Sequence, residues 1–296
     1  MRENNVNRRE LARQLTRILN ASVEEILTIS DKAPEIVATR LGITGAPGVG
    51  KSSLIAKLVA FRVKQVDKLA ILAIDPSSPY SGGSLLGDRI RMGELVENPN
   101  IYLRSLPSRA AHDGLCNNIP ELIQCLEHHR FSEIILETVG VGQAEYAIRI
   151  QVDTVILVLQ PESGDTIQSM KAGILEMADI IVVNKEDLPG ADKIVAELEQ
   201  IAARGSHSQE WIPPVVRVSA KDDKGFQELS KVIDQHLYWQ KEWRDSAEIK
   251  LRRRRYQIQT LLERRIDRLL DGVENDLMQH SLATCFHEIA ERFSAR

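Results

Sequence analysis

Gly45-Ala46-Pro47-Gly48-Val49-Gly50-Lys51-Ser52 is the stretch that decides the fold. It satisfies G-x-x-x-x-G-K-[ST] at every fixed position, the pattern of a phosphate-binding loop (P-loop). The spacing has a chemical reason. Glycines let the backbone wrap tightly, so that successive N–H groups point inward at phosphate oxygens. Lys51 has the reach for β- and γ-phosphates, and the Ser52 hydroxyl can ligate Mg²⁺. Gly45, Pro47, Gly48, Val49, Gly50, Lys51, Ser52 and Ser53 are therefore the candidate phosphate-side contacts. Upstream, the apolar stretch Ile36 to Ile43 reads as a strand feeding the loop. Downstream, Ser52 to Val63 reads as a helix, and a helix N-terminus favours an anion. A glycine-rich turn that binds nothing is the competing reading; strand, loop and helix in this order count against it.

A phosphate loop does not choose between adenine and guanine. Asp179 to Lys185 is a strand-like run ending in Asn184-Lys185-Glu186-Asp187, which fits N-K-x-D. The Asp187 carboxylate can accept from guanine N1–H and the exocyclic amine. Adenine offers no donors there, so a buried carboxylate would be left without partners. The Lys185 stem can lie along the base face, and Asn184 can tie the site together. Alone, N-K-x-D is commonly a solvated turn. Here Ser219-Ala220-Lys221 follows the apolar run Pro214 to Val218 and matches the loop that closes over guanine in proteins with this pattern. The three motifs in this order point to bound GTP or GDP.

Phe131 to Gly140 reads F-S-E-I-I-L-E-T-V-G. Glu137 ends a buried-looking strand, where a carboxylate holds Mg²⁺ directly or through water. Gly140 would let a backbone N–H come close to the γ-phosphate. Most small GTPases carry Asp at the first of these places and Gln directly after the glycine. This chain has Glu137 and Val141, with Gln143 two places later. Slow intrinsic turnover, accelerated by a partner or a second subunit, is the expectation. Between the loop and this strand, Asp75 ends the strand-like run Leu69 to Ile74, and Asp88 follows a Gly/Ser-rich stretch. Both are candidate metal-site carboxylates on the ligand edge of a parallel sheet. A linker with a helix-capping Asp88 is the competing reading.

Longer stretches resemble one family. Asp75 to Met92 contains D-P-S-S-P-Y-S-G-G-S-L-L-G-D-R-I-R-M; Glu137 to Gln143 reads E-T-V-G-V-G-Q; Gly164 to Asp179 reads G-D-T-I-Q-S-M-K-A-G-I-L-E-M-A-D, followed by N-K-E-D. These resemble the P-loop GTPase family associated with methylmalonyl-CoA mutase, the MeaB/ArgK type, strongly over Leu41 to Lys221. The resemblance implies a GTP-binding, GTP-hydrolysing chaperone of an adenosylcobalamin-dependent acyl-CoA mutase, with adenosylcobalamin belonging to the partner enzyme. It implies Mg²⁺ and GTP/GDP as the bound groups, with Lys51, Asp88, Glu137 and Lys171 as catalytic candidates. Ser52, Asp75, Asp88 and Glu137 are the metal candidates, and Gly140, Asn184, Lys185, Asp187, Ser219, Ala220 and Lys221 join the nucleotide contacts. Gln160 to Lys171 resembles a third switch loop that meets the mutase. Two segments depart from the family pattern: His112 to Asn118 replaces a Leu-Gly-Gly segment, and Gln143-Ala144-Glu145 stands for Gln-Ser-Glu. The readings left open are a nickel-insertion GTPase, a kinase linked to arginine/ornithine transport, and an idle dimeric binding module.

With 296 residues, 43% of them hydrophobic, the chain can bury one large α/β domain with helical additions. A net charge of −4 argues against nucleic acid as a partner. Cys116, Cys125 and Cys285 form no C-x-x-C, which suits a reducing cytoplasm. No signal peptide or membrane-spanning run is read. The seven histidines are dispersed and form no nickel-storing tract. The expected architecture is a doubly wound, mainly parallel sheet of the P-loop GTPase kind at 41–235. A helical N-terminal extension covers 1–40, and a helical C-terminal dimerisation arm covers 236–296. Ser22 to Glu25 reads as a capping box. Leu251, Ile258, Leu261, Leu262, Leu269 and Leu270 mark an apolar stripe on a helix ending near Gly272, the expected C-cap.

Overall fold

The computed structural model describes residues 7–28, 34–76, 97–108, 115–138, 140, 143–161, 172–204, 211–273 and 279–294. The candidates Asp88 and Lys171 lie outside these residues, as do most of the segments 75–88 and 160–171 and residues 112–114. The chain divides into two compact units: Met1–Asn20 with Lys32–Asp245, and Ala21–Asp31 with Ser246–Arg296.

The first unit is an α/β fold on a seven-stranded sheet. In chain order its elements are α1 (Arg8–Asn20), then, past α2 (Val23–Thr28) of the other unit, β1 (Thr39–Thr44), α3 (Lys51–Arg62), β2 (Leu69–Pro76), β3 (Ile101–Ser108), α4 (Ile119–His128) and β4 (Glu133–Glu137). There follow α5 (Gln143–Gln151), β5 (Thr154–Leu159), α6 (Ala172–Met177), β6 (Ile180–Asn184), α7 (Ala191–Arg204), β7 (Val215–Val218) and α8 (Phe226–Trp243). The strand order is β3-β2-β4-β1-β5-β6-β7, and every pairing is parallel. The strand-like runs read from the sequence at 36–43, at 69–74, before Glu137, at 179–185 and at 214–218 are present as β1, β2, β4, β6 and β7, with β1 starting only at Thr39.

The alternation of each strand explains the layers. Ile156 and Val158 of β5 and Val182 of β6 face the cluster built by Leu54, Ile55 and Leu58 of α3 with Phe226, Leu229 and Ile233 of α8. Their neighbours Leu157, Leu159, Ile181 and Val183 face Ile194, Val195 and Leu198 of α7. Both faces are covered, so the central strands read as unbroken apolar runs. At one edge α1 is fastened to β3 and α4: Arg104 donates to Ala12 O at 2.9 Å, and Asn118 donates to Ile18 O at 2.7 Å. β1 sits centrally, with β2, β3 and β4 on one side and β5, β6 and β7 on the other, so the strand order reverses at it. That is the switch point at which open α/β sheets bind ligands, outside the carboxyl ends of the strands.

The second unit joins α2 to α9 (Ser246–Asp271) and α10 (Leu282–Ser294). The capping box is present in both directions. Ser22 N–H donates to Glu25 Oε2 at 2.8 Å, and Glu25 N–H donates to Ser22 Oγ at 3.1 Å. Arg268 meets Glu24 at 2.6 Å and Arg264 donates to Ala21 O, which ties α2 to α9. The helix α9 ends at Asp271, so Gly272 stands at its C-terminus as expected, without a positive φ. Gly272 N–H donates to Arg268 O and Val273 N–H to Leu270 O, so the helix closes through a tighter last turn and needs no positive φ. α8 runs unbroken across residues 235 and 236, and the second unit resumes at Ser246. Among the described residues no helix is long and apolar enough to cross a membrane.

Candidate nucleotide site

The loop 45–50 leaves the carboxyl end of β1 and turns into α3, whose N-cap is Gly50 at φ 91°. Lys51 and Ser52 open that helix, each about nine-tenths buried. Lys51 Nζ donates to Gly45 O at 2.7 Å and to Ala46 O at 3.2 Å, which holds the ammonium inside its own loop. Val49 is buried, whereas Pro47, Gly48 and Ser53 are exposed. Ser53 thus turns away from the loop, while Pro47 and Gly48 form its outer lip.

Glu137 closes β4, level with Ile43 of β1 and Ala73 of β2. The register therefore carries its carboxylate to the start of α3, where Ser52 Oγ donates to Glu137 Oε1 at 3.0 Å. Behind this pair, Thr138 Oγ1 and Thr44 Oγ1 meet at 2.9 Å, a buried contact between β4 and β1 that the sequence reading did not single out. Asp75 lies two residues past Ala73 on β2 and is also buried. Gly140 has φ 79°, and a Cβ there would strike the Gly45 carbonyl oxygen, so only glycine lets this backbone lie against the phosphate loop. The backbone of Gln143 begins α5.

The base-side motif reaches back to the same loop. Asn184 ends β6 and donates through Nδ2 to Val49 O at 2.8 Å. A Cβ on Gly50 would come within 2.5 Å of that nitrogen, which gives Gly50 a second reason to be glycine. Lys185 Nζ donates to Gly48 O at 3.1 Å and to Gln160 Oε1 at 2.6 Å. Asp187 accepts from Ser219 Oγ at 3.0 Å, and Lys221 Nζ stands 3.6 Å from its other oxygen. The Ser219 bond, with the Lys221 charge assisting, holds the Asp187 carboxyl below the usual carboxylate range. Ser219 is itself buried and pinned by the bridge to Lys224 and by the Asp222 amide. Ala220 is partly buried and Lys221 is exposed.

The structure thus gathers Lys51, Ser52, Glu137, Gly140, Asn184, Lys185, Asp187 and Ser219 at the carboxyl rim of one sheet, although 174 positions separate the first glycine of the loop from Ser219 (219 − 45). Of the residues that complete this geometry, Thr138 and Thr44 had a signal in hindsight. Each hydroxyl directly adjoins a motif residue, Glu137 and Gly45.

Comparison with known proteins points the same way. Residues 12–277 match the family model described as methylmalonyl-CoA mutase-associated GTPase MeaB. A Pyrococcus abyssi protein provisionally named a GTPase is 36% identical over 303 residues, which span 98% of this chain and 89% of the relative. The methylmalonic aciduria type A homolog of Mus musculus, a mitochondrial protein, is 39% identical over 227 residues; these make up 75% of this chain and 54% of the mouse protein. Among solved structures, a chain described as LAO/AO transport system kinase superposes with a TM-score of 0.67 at 22% identity, covering 98% of this chain and 95% of that one. HypB from Helicobacter pylori in complex with nickel superposes with a TM-score of 0.52 at 14% identity, covering 83% and 99%. At those identities the structural likeness carries the fold alone.

Proposed function

Because the chain belongs to the MeaB family of methylmalonyl-CoA mutase-associated GTPases, and is itself a GTPase, we propose that it assists the loading and protection of adenosylcobalamin in an acyl-CoA mutase such as methylmalonyl-CoA mutase. The cofactor stays with the partner enzyme. The observation that carries this reading is the family match running through 12–277, on a chain whose phosphate loop, Glu137 and N-K-x-D motif meet at one rim.

The donor set fits Mg²⁺. Ser52 Oγ and Glu137 Oε1 are 3.0 Å apart, both side chains are nine-tenths buried, and hard oxygen donors suit a hard cation. Asp75 and Asp88 are the further carboxylates proposed for it. Magnesium bound there would neutralise charge on the β- and γ-phosphates. Lys51 supplies a fixed positive charge in the loop, which stabilises the negative charge that builds on the transferring phosphoryl group. Asp187 and the Lys185 stem select and cover guanine. With Val141 rather than glutamine after Gly140, water is poorly positioned by the chain alone, so turnover is slow until the mutase binds. The segment 160–171, ending in Lys171, is the proposed mutase contact. A homodimer through the C-terminal helices and a cytoplasmic setting complete the proposal; three free cysteines suit a reducing compartment.

Steady-state GTP hydrolysis with and without methylmalonyl-CoA mutase tests this reading. Turnover should rise by roughly an order of magnitude or more with the mutase, and adenosylcobalamin transfer into the apo-mutase should require GTP. Unchanged turnover, together with nucleotide-independent transfer, would overturn the mutase assignment.

A further inference from the structure

Lys185 makes one contact that belongs to none of the nucleotide-binding motifs. Its ammonium donates to Gln160 Oε1 at 2.6 Å, a shorter bond than the one to Gly48 O at 3.1 Å. The acceptor must be the glutamine oxygen, because an ammonium has donors only. The sheet fixes both ends of this bond. Gln160 directly follows Leu159 of β5, Lys185 comes two residues after Val183 of β6, and Leu159 and Val183 are register partners. Lys185 has φ 60°, a left-handed backbone uncommon for a residue with a long side chain. Its stem then spans from the end of β6 to the lip of the phosphate loop, with Gln160 and Gly48 as the two anchors of its tip.

We propose that Gln160 is a positioning residue for guanine recognition: it fixes the Lys185 ammonium so that the methylene stem is already laid out as a platform when the base arrives. The proposal rests on reading Lys185 as a base-side residue. A free lysine side chain has many rotamers, and ordering it during binding weakens affinity. With Gln160 in place, that ordering is complete beforehand. Without it, the ammonium retains the carbonyl of Gly48, which is exposed to water, and a charge-assisted hydrogen bond is lost.

Equilibrium binding of a fluorescent GDP analogue to the full chain, in magnesium buffer, tests the proposal with Gln160→Ala, Gln160→Glu, Lys185→Ala and the double variant Gln160→Ala/Lys185→Ala. Gln160→Ala should weaken GDP binding about tenfold. Gln160→Glu keeps an acceptor and should bind at least as tightly as the unaltered chain. In the Lys185→Ala background, Gln160→Ala should cause no further loss, because the two residues act through one bond. GDP affinity unaffected by Gln160→Ala, no rescue by Gln160→Glu, or an equal loss in the Lys185→Ala background would overturn the proposal. If the unaltered chain bound no GDP, the nucleotide reading would fall together with it; if only Gln160→Ala were silent, the nucleotide reading would stand.

Discussion

A methyl group on Gly140 would run into the Gly45 carbonyl oxygen, the same oxygen that accepts from Lys51 Nζ at 2.7 Å. Gly140, three residues past Glu137 at the end of β4, and the loop lysine thus meet at one carbonyl oxygen. Lys51→Ala removes the charge that this carbonyl holds in place. GTP hydrolysis should fall by about two orders of magnitude or more, with weaker nucleotide binding; a single-turnover assay that returned the original rate would remove Lys51 from the mechanism. At this scale the site was legible wherever chemistry dictates spacing. The loop octet, Glu137 and N-K-x-D could be read because phosphate, cation and base impose residue types at fixed intervals. Gln160 was legible only as the start of a segment. Its bond to Lys185 depends on the register of β5 against β6, which no local pattern encodes. Asn184 was expected to tie the site together, but its target, the Val49 carbonyl, became visible only in three dimensions.

Two buried charge networks hold the elements that carry these loops. Arg62, in the last turn of α3, makes paired hydrogen bonds to Glu133 at the start of β4, at 3.0 and 3.1 Å from Nε, and reaches Asp234 of α8 at 2.5 Å. Glu133 is fully buried. Arg62→Met would leave it without a compensating charge, and the expected loss is about 3–5 kcal/mol of folding stability, read from urea unfolding; a change below about 1 kcal/mol would mean that the pair is not stabilising the α3–β4 junction. The second network lies at the same amino-terminal edge of the sheet, beside β5 and β6. Asp179 accepts from Arg149 of α5 and from Val155 N–H at 2.8 Å; His236 Nε2 is 3.3 Å away and Arg244 3.6 Å. Burial alone would raise the Asp179 carboxyl, but the adjacent His236 ring, the Arg149 charge and the Val155 amide outweigh it and hold it below the ordinary aspartate value. A depressed carboxylate stabilises the fold at all pH values above its unfolded pKa. That contribution fades as pH falls below about 4. The urea midpoint should therefore decline with acidification in that range, and more steeply than in Asp179→Asn; parallel pH profiles for the two would contradict this role. The strands themselves were legible because parallel strands covered on both faces must be apolar throughout. The two networks were not, since a charged residue in a sequence gives no sign of whether it is solvated or buried against a distant partner.

At the scale of the whole molecule, the sequence reading placed the first forty residues together as an extension. The structure instead groups α2 with the C-terminal helices, through Glu24 with Arg268 and Ala21 with Arg264. Pairing over such a sequence distance leaves no periodic trace. α9 is 26 residues long and buries none of them. Leu251, Ile258, Leu262, Ile266 and Leu270 are all exposed, the last four at intervals of four residues, so they form a stripe along one side of the helix. Such an apolar stripe favours a second copy of the chain as its cover. Sedimentation should give a dimer, and Ile258→Asp with Leu262→Asp should give a monomer of unchanged helix content. An unaltered chain that sediments as a monomer at micromolar concentration would exclude the dimer arm. The guanine grip can be measured most directly of all, by calorimetric titration of the intact chain with GDP and with ADP in magnesium buffer, alongside Asp187→Asn. One GDP per chain should bind, ADP should bind at least about a hundredfold more weakly, and Asp187→Asn should lose most of that preference. Equal affinity for the two nucleotides, or a preference untouched by Asp187→Asn, would contradict the reading of this rim as a guanine nucleotide site.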